Sequence, residues 1–295
     1  MKIEKLILQK HVDYSTNLKF VGGQITRDGT LLLIESNGHE LDFFQRPVPK
    51  SNWTIRIIKS EGIETVELKN VPLMPSKADL FLDGTLLIVQ SRCLKDGDNI
   101  EKNARRYNRN GQLIEAFTLG DGISHVQIDE TDTIWVGYFD EGVYGNFGWQ
   151  QPMGSDGLIA YSINGQKLWG GSDYDISDCY ALNVVSSKEV YFSYYIDLHL
   201  IQLSDMKESL RYRIESFGIQ QFMFDKKGLI GQIIDVHNSQ DRFPMIRFLI
   251  ENRTIIPMGK LQLIDEKGKQ IKGEVFMRGA FLYVYGKDGI YKRKL

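Results

Sequence analysis

The segment Gln24-Ile25-Thr26-Arg27-Asp28-Gly29-Thr30-Leu31-Leu32-Leu33-Ile34 contains two short strand-like runs separated by Asp-Gly. Asp-Gly supplies the positive φ angles that a tight turn between antiparallel strands needs. A second segment, Asp79-Leu80-Phe81-Leu82-Asp83-Gly84-Thr85-Leu86, repeats the tetrapeptide Asp-Gly-Thr-Leu. The two segments therefore predict two β-hairpins of the same kind.

Four later segments keep this pattern without keeping its residues, and their first strands begin at His125, Leu182, Gln220 and Glu274. Neighbouring turns are about 50 residues apart on average, and further strands follow each hairpin, as at residues 104–107 and 112–118. Repeats of this length that hold four strands are typical of propeller blades. We predict an all-β chain that forms a six-bladed β-propeller of four-stranded antiparallel blades, as a single domain over residues 1–295.

The last repeat lacks one strand, whereas residues 2–9 form an extra strand ahead of the first repeat. We predict that this N-terminal strand closes the sixth blade by pairing near Lys292, because an unpaired sheet edge invites aggregation. Helical periodicity is nearly absent, and its best candidate is a turn around residues 204–210.

Composition and charge narrow the classes of function. The 36 Lys and Arg residues and 38 Asp and Glu residues leave a net charge of -2, which gives no overall attraction to nucleic acid or anionic lipid. No apolar run approaches the length of about 18 residues that a membrane span requires. Cys93 and Cys179 have no Cys or His neighbour at metal-ligand spacing. We expect a cytoplasmic protein with reduced thiols and with neither nucleic acid nor a membrane as partner.

The repeats resemble those of six-bladed propellers related to the NHL, TolB and SMP-30 groups. Thr133-Ile134-Trp135-Val136-Gly137 resembles the Ile-Trp-x-Gly strand of sensor propellers, and residues 122–145 resemble part of uncharacterised bacterial propeller proteins. The resemblance implies a fold and a bacterial source, but no particular activity. Lactonases of the SMP-30 kind hold a divalent cation with a Glu, Asn residues and an Asp; Glu35 matches this set only in residue type, and no Asn or Asp matches the rest.

The first candidate site is the loop of residues 138–157, which joins the second and third predicted strands of the third blade and contains five glycines. Long loops on rigid scaffolds often bind ligands. Aromatic faces beside carboxylates recognise polar rings or cations, so a ligand platform is one interpretation, and packing of the aromatic residues over the rim is the other. A platform requires Tyr144 and Trp149 to be partly exposed. The candidate ligand-binding residues of this loop are Tyr138, Asp140, Glu141, Tyr144, Asn146 and Trp149.

The second candidate site is the central channel of the predicted propeller. Alignment on the turns places Glu35, Tyr138 and Tyr194 at one equivalent position, and Asp79 and His125 where the inner strands begin. A ring of polar groups suits a small polar ligand or an ion, and it suits a water-filled channel equally. His125 has a side chain whose ordinary pKa of about 6.5 fits acid-base chemistry, although a hydrogen-bonded structural role is the alternative.

No Gly-x-Ser-x-Gly elbow, phosphate-binding Gly-rich loop or His-Glu-x-x-His motif is present. Our leading hypothesis is a binding module that takes a small polar molecule or a protein partner on one face of the propeller and needs no cofactor. The alternative is a metal-dependent hydrolase or lactonase of the SMP-30 kind, which requires a divalent cation on the channel axis. The sequence leaves open whether the protein is an enzyme.

Overall fold

The computed structural model describes residues 3–38, 42–215, 217–233 and 243–294. Their regular secondary structure is β-strand, apart from one short helix and one 3-10 turn at Ser172–Tyr174, so the predicted all-β class is confirmed. The chain divides into two compact units. The contiguous unit is Thr16–Cys179, and the split unit combines Met1–Ser15 with Tyr180–Leu295. The single domain over residues 1–295 stays a prediction.

The helix, α1, spans Asp140–Tyr144. The strands in chain order are β1 (Ile3–Ile7), β2 (Gln9–Val12), β3 (Lys19–Ile25), β4 (Leu31–Ser36), β5 (Ser51–Lys59), β6 (Gly62–Val71), β7 (Lys77–Leu80), β8 (Leu86–Val89), β9 (Lys95–Asp96), β10 (Asn99–Ile100), β11 (Ala104–Tyr107), β12 (Leu113–Phe117), β13 (Ile123–Ile128), β14 (Ile134–Tyr138), β15 (Leu158–Tyr161), β16 (Lys167–Gly170), β17 (Asp178–Ser186), β18 (Glu189–Tyr195), β19 (His199–Ser204), β20 (Lys207–Ile214), β21 (Ile219–Asp225), β22 (Gly228–Ile233), β23 (Met245–Glu251), β24 (Thr254–Ile264), β25 (Gly273–Arg278), β26 (Phe281–Gly286) and β27 (Gly289–Lys294).

The Asp-Gly segments form the tight turns that the sequence predicts. Gly29 has a φ of 83° between β3 and β4, and the Asp28 carboxylate accepts a hydrogen bond of 3.2 Å from the Thr30 backbone N–H. Gly84 has a φ of 81° between β7 and β8, where the Asp83 carboxylate accepts a bond of 2.9 Å from the backbone N–H of Thr85. Because glycine tolerates positive φ and aspartate caps the turn, both hairpins follow from local chemistry.

The contiguous unit contains three four-stranded antiparallel sheets. Their strand orders are β3-β4-β5-β6, β7-β8-β11-β12 and β13-β14-β15-β16, and the small hairpin β9-β10 lies between β8 and β11. One apolar cluster, with Ile34 and Ile88 among its members, lies between the first two sheets. A second, with Val89 and Val136, lies between the second and third. The core of this unit is therefore a series of apolar layers between successive sheets.

The split unit departs from the prediction of separate blades. Strands β25, β26, β27 and β2 form one four-stranded sheet, whereas β17 to β24 and β1 form a single nine-stranded sheet. Within this sheet β17–β20 and β21–β24 are two antiparallel runs of four strands. The runs are joined because the last two residues of β20, Arg213 and Ile214, pair in parallel with Thr254 and Ile255 of β24. Six separate four-stranded sheets are thus not observed among the described residues.

Two local predictions need correction. The N-terminal segment forms two strands rather than one, since β1 pairs in parallel with β24 and only β2 pairs with β27. Pairing near Lys292 is present, with Gln9 as its partner, but the closing strand is Gln9–Val12 instead of residues 2–9. Residues 204–210, predicted as a helical turn, lie in the β19–β20 hairpin. Strand pairing here outweighs the weak local helical pattern.

We predict that truncation separates the contributions of β1 and β2. A chain that starts at Leu8 loses the parallel partner of β24, and a chain that starts at Asp13 also exposes the edge of β27. An exposed edge strand carries unpaired backbone N–H and C=O groups that can pair with another chain. The second truncation should therefore lower the thermal midpoint further and produce aggregates. Calorimetry and light scattering on both chains check this, and equal midpoints for the two truncations would contradict it.

Candidate functional site

The loop of residues 138–157 joins β14 to β15, as the sequence predicts, and begins with helix α1. The helix starts at Asp140 and ends at Gly145, which has a φ of 95°. Gly142 is required for packing, because a Cβ atom there would lie 2.5 Å from the backbone oxygen of Asp121. This close contact presses α1 against the segment that precedes β13.

A buried arginine fixes the inner side of α1. The side chain of Arg92, which follows β8, forms an ion pair of 2.9 Å with Asp121 and another ion pair with Glu141 of α1. Its guanidinium carbon lies 5.1 Å from the ring centroid of Phe44 and 5.4 Å from that of Phe147. Cation-π contacts of this kind strengthen when water is excluded. Arg92 therefore joins three segments that are distant in sequence.

The two carboxylates that contact Arg92 differ in pKa. The hydrogen bond from Arg92 holds the pKa of Glu141 below its ordinary value. Burial raises the pKa of Asp121, although the Cys93 backbone N–H and Arg92 oppose that shift. Both groups are engaged in holding the loop, so Glu141 has less freedom to bind a ligand than the sequence suggests.

Trp149 is a packed residue, so it lacks the exposure that the platform interpretation requires and matches the packing alternative at this position. Only 5% of its surface is exposed, and its indole Nε1 donates a hydrogen bond of 2.6 Å to the backbone oxygen of Cys93. The ammonium group of Lys95 lies 5.3 Å from the Trp149 ring. A ring covered on this scale cannot serve as the open face of a platform, although its ligand-binding role as such stays untested.

Tyr144 shows the exposure that a platform requires. Its surface is 66% exposed, and its hydroxyl is 2.5 Å from the Ser177 hydroxyl oxygen. Asp140 is exposed at the start of α1, and Asp178 follows Ser177 at the start of β17. Tyr144 is thus held beside two acidic residues that come from different segments.

Asp140 and Asp178 form the electrostatically unusual part of this surface. Burial, together with the nearby Asp140 carboxylate, raises the pKa of Asp178 to about 6. In the described part of the chain neither carboxylate forms an ion pair with a cationic side chain. A second negative charge close by disfavours ionisation of a half-buried carboxyl group, and a cation placed between them would relieve that cost.

The remaining candidates have structural partners and do not join this surface. Glu35 is fully buried and forms an ion pair of 3.0 Å with Arg56. Tyr138 is buried, and its hydroxyl is 2.8 Å from that of Tyr161. Asn146 is exposed and caps the backbone N–H of Phe147. Tyr194 is buried in the split unit, 5.8 Å from the Phe192 ring.

Asp79 and His125 do not occupy equivalent positions. Asp79 pairs with Leu87 one step before the end of its hairpin, and the residue in that position of β13 is Gln127, which pairs with Trp135. His125 lies two residues earlier, half-buried opposite Gly137. The two connections are equally long, residues 81–85 and 129–133, so an alignment that takes residues 129–132 as one turn and only Asp83-Gly84 as the other is shifted by two positions.

Sequence reasoning missed Arg92, Asp121 and Asp178. Asp178 belongs to the acidic run with Asp173 and Asp175, which has the pattern of a solvated loop. Arg92 and Asp121 are single charged residues between strands, and only their burial distinguishes them. No group of three or more His, Cys, Asp or Glu side chains able to hold a metal ion occurs among the described residues.

The YxzG family model matches residues 153–293 of the chain. No curated protein matches the sequence. None of the helices in the described ranges is long and apolar enough to cross a membrane.

Solved structures resemble the chain over most of its length. Virginiamycin B lyase from Staphylococcus aureus is 12% identical with a TM-score of 0.50, over 98% of this chain and 99% of that one. A chain of the mitotic checkpoint complex is 6% identical with a TM-score of 0.52, over 96% of this chain and 76% of that one. A protein of unknown function from Bacteroides caccae is 13% identical with a TM-score of 0.45, over 84% and 82%. The lyase is propeller-like, so its likeness supports a β-propeller fold and nothing about activity.

We predict that Trp149→Ala lowers the free energy of unfolding by about 3–5 kcal/mol, as truncation of a buried aromatic residue does elsewhere. The exposed Tyr144 provides the matched control, and Tyr144→Ala should cost less than about 1.5 kcal/mol because it removes one hydrogen bond and little buried area. Denaturant unfolding of both variants checks this. A small loss for Trp149→Ala would show that the ring contributes little to the core.

We also predict a pH-dependent stability that originates at Asp178. Its folded pKa is raised from 3.8 to about 6, so its stabilising contribution is complete below pH 3.8 and is lost as the pH rises through about 6. Asp178→Asn should therefore match the wild type at the acid end of this window and exceed it in stability above pH 6. Denaturation midpoints across the window measure this, with exposed Asp173→Asn as the control. A constant difference between Asp178→Asn and the wild type would contradict the shifted pKa.

Proposed function

We propose that the protein is a binding module that takes a cationic group, from a small polar molecule or a protein partner, on the surface formed by Asp140, Tyr144, Ser177 and Asp178. The observation that carries this proposal is a pair of carboxylates that have no cationic partner among the described residues, one of them with a pKa raised to about 6. We name these four residues the acidic surface.

Electrostatics favours a cation here. An ammonium or guanidinium group next to Asp140 and Asp178 would be attracted by both, and its presence would return the Asp178 carboxyl group to its ionised form. The desolvation that now raises the pKa of Asp178 would then strengthen the attraction, since charges interact more strongly where water is partly excluded.

The exposed ring of Tyr144 favours an organic cation over a metal ion. Aromatic faces attract ammonium and guanidinium groups, and the hydrogen bond to Ser177 restricts the ring before a ligand arrives. A calcium ion takes six to eight oxygen ligands and would need bidentate binding by both carboxylates or several water ligands here, whereas an organic cation needs only the negative charge and the ring face. The acidic surface therefore suits choline-like, polyamine or lysine and arginine groups.

Rigid support for the acidic surface comes from the interior. Arg92 anchors Glu141 in the first turn of α1, and Trp149 anchors a later part of the same loop through Cys93. A ligand that binds Asp140 and Tyr144 would meet side chains whose backbone is already fixed. Pre-organisation of this kind lowers the entropic cost of binding.

We extend the proposal to the fold. The two runs of four strands within the nine-stranded sheet would correspond to two blades, which with the other four sheets gives a six-bladed propeller closed by β2. Its kinship with NHL-like propellers, a bacterial source and a cytoplasmic location are part of the same proposal. The alternative is a metal-dependent hydrolase, and the described residues include no group of three or more His, Cys, Asp or Glu side chains that could hold its metal ion.

Calorimetric titration tests the function directly. We expect choline, spermidine or a lysine-rich peptide to bind at pH 7.5, and we expect the affinity to fall as the pH drops below about 6, where Asp178 takes up a proton. Asp178→Asn should weaken binding by roughly tenfold, the loss typical of one charged hydrogen bond. Tyr144→Ala should weaken it as well.

The control is Asp173→Asn, which removes the same charge from an exposed position outside the acidic surface and should leave the affinity unchanged. Calcium, manganese and zinc are titrated in parallel. The proposal fails if none of the organic cations binds, or if Asp178→Asn binds them as tightly as the wild type. Tight binding of a metal ion instead would favour the hydrolase alternative.

A further inference from the structure

A basic cleft in the split unit lies apart in sequence from every residue of the acidic surface. It has a volume of about 520 Å³ and is formed by β1, β2, β27 and the turn after β24. Its polar lining consists of Gln9, Lys10, Glu266, Lys292, Arg293 and Lys294, together with His11. Four permanent cations and one carboxylate therefore line a space of the size that small ligands occupy, with the side chain of Arg293 leaving the opposite face of β27 from those of Lys292 and Lys294.

Strand geometry brings two of the lysines together. Lys292 and Lys294 are two residues apart on β27, so their side chains leave the same face of the sheet. Both ammonium groups lie 5.4 Å from the ring centroid of Phe281, the residue that pairs with Lys294 on β26. Two like charges at one ring repel each other, and an anion between them would offset that repulsion.

Arg293 also lines the cleft, and its side chain leaves the opposite face of β27. Its Nη1 donates a hydrogen bond of 2.7 Å to the backbone oxygen of Ile7, which fixes the guanidinium beside β1. Its Nε is buried and has no hydrogen-bond partner among the described residues. A buried donor without a partner normally has a water or a ligand as its partner. Lys10 is partly neutralised by its ion pair with Asp13.

We infer that this cleft binds a small anion that carries two or more phosphate groups. Lysine ammonium groups bind phosphate as point charges, and arginine adds planar donors for its oxygens. The cations are spread over the cleft, with Lys292 and Lys294 on one face of β27 and Arg293 beside β1, and a di- or triphosphate can reach more of them than a single phosphate can. A nucleic acid is disfavoured, because the net charge of the chain is -2 and the basic residues are confined to one cleft.

Isothermal titration with sodium tripolyphosphate at low ionic strength tests this inference, with sodium sulfate and a single-stranded oligonucleotide as comparison ligands. We expect tripolyphosphate to bind with one site per chain and to weaken as salt is added, since salt screens exposed charges. Lys292→Gln combined with Lys294→Gln should weaken binding by at least about tenfold.

Two further variants separate a lost site from a damaged fold. Lys188→Gln combined with Lys207→Gln removes the same charge from exposed positions outside the cleft and should bind as the wild type does. Glu266→Gln removes the opposing carboxylate and should tighten binding several-fold, a result that misfolding would not produce.

Three outcomes would overturn the inference. The first is no heat of binding for wild-type protein with tripolyphosphate, and the second is equal affinity in the Lys292 and Lys294 double variant and in its matched control. The third is an oligonucleotide that binds more tightly per phosphate than tripolyphosphate, which would identify a nucleic-acid surface. Binding of tripolyphosphate that depends on Lys292 and Lys294 and strengthens in Glu266→Gln would establish the site.

Discussion

The carboxylate of Asp79 connects two strands that no backbone ladder joins. It is fully buried, and its two oxygens accept the backbone N–H groups of Leu80 and, in the next sheet, Ile128, each at 2.8 Å. Sheets that pack face to face share no backbone hydrogen bonds, and apolar contact alone sets no register between them. Gln221 has the same role in the split unit, where its amide bonds the backbone of Val275 and Met277. The contact of Arg92 with α1 joins the same two sheets, the second and the third.

Local sequence patterns predict the hairpins of this architecture, but they do not predict the pairings between strands that are distant in the chain. All six hairpins begin where a turn signal separates two apolar runs, since turn formation depends only on neighbouring residues. The joining of β20 to β24 depends on Arg213 and Thr254, which are far apart in the chain, so no local pattern reports it. The same holds for β1, whose alternation fits a strand in any sheet. Residues 204–210 lacked a strong pattern of either kind, and pairing with β19 determined their conformation.

The candidate site was predictable in position but not in detail. Five glycines, with Tyr144, Phe147 and Trp149 between them, identified the loop, because both composition and length are local properties. Whether each aromatic residue is packed or exposed depends on distant partners: Trp149 is buried and its indole N–H bonds the backbone oxygen of Cys93, whereas Tyr144 is exposed. Asp178 differs from Asp173 only through its burial and its proximity to Asp140. Arg92 carries no motif at all, although it anchors the loop.

The division of the chain has a consequence for biosynthesis. The contiguous unit, Thr16–Cys179, can form while the ribosome is still translating the rest, whereas the sheet of β2 and β27 needs the pairing of Gln9 with Lys292. Strands β1 and β2 must therefore remain unpaired until β24 and β27, near the other end of the sequence, have been synthesised. During that interval β1 and β2 lack their partner strands β24 and β27, and unpaired strand edges make incomplete chains prone to aggregation. The order of synthesis thus sets an order of assembly in which the earliest residues are among the last to be incorporated.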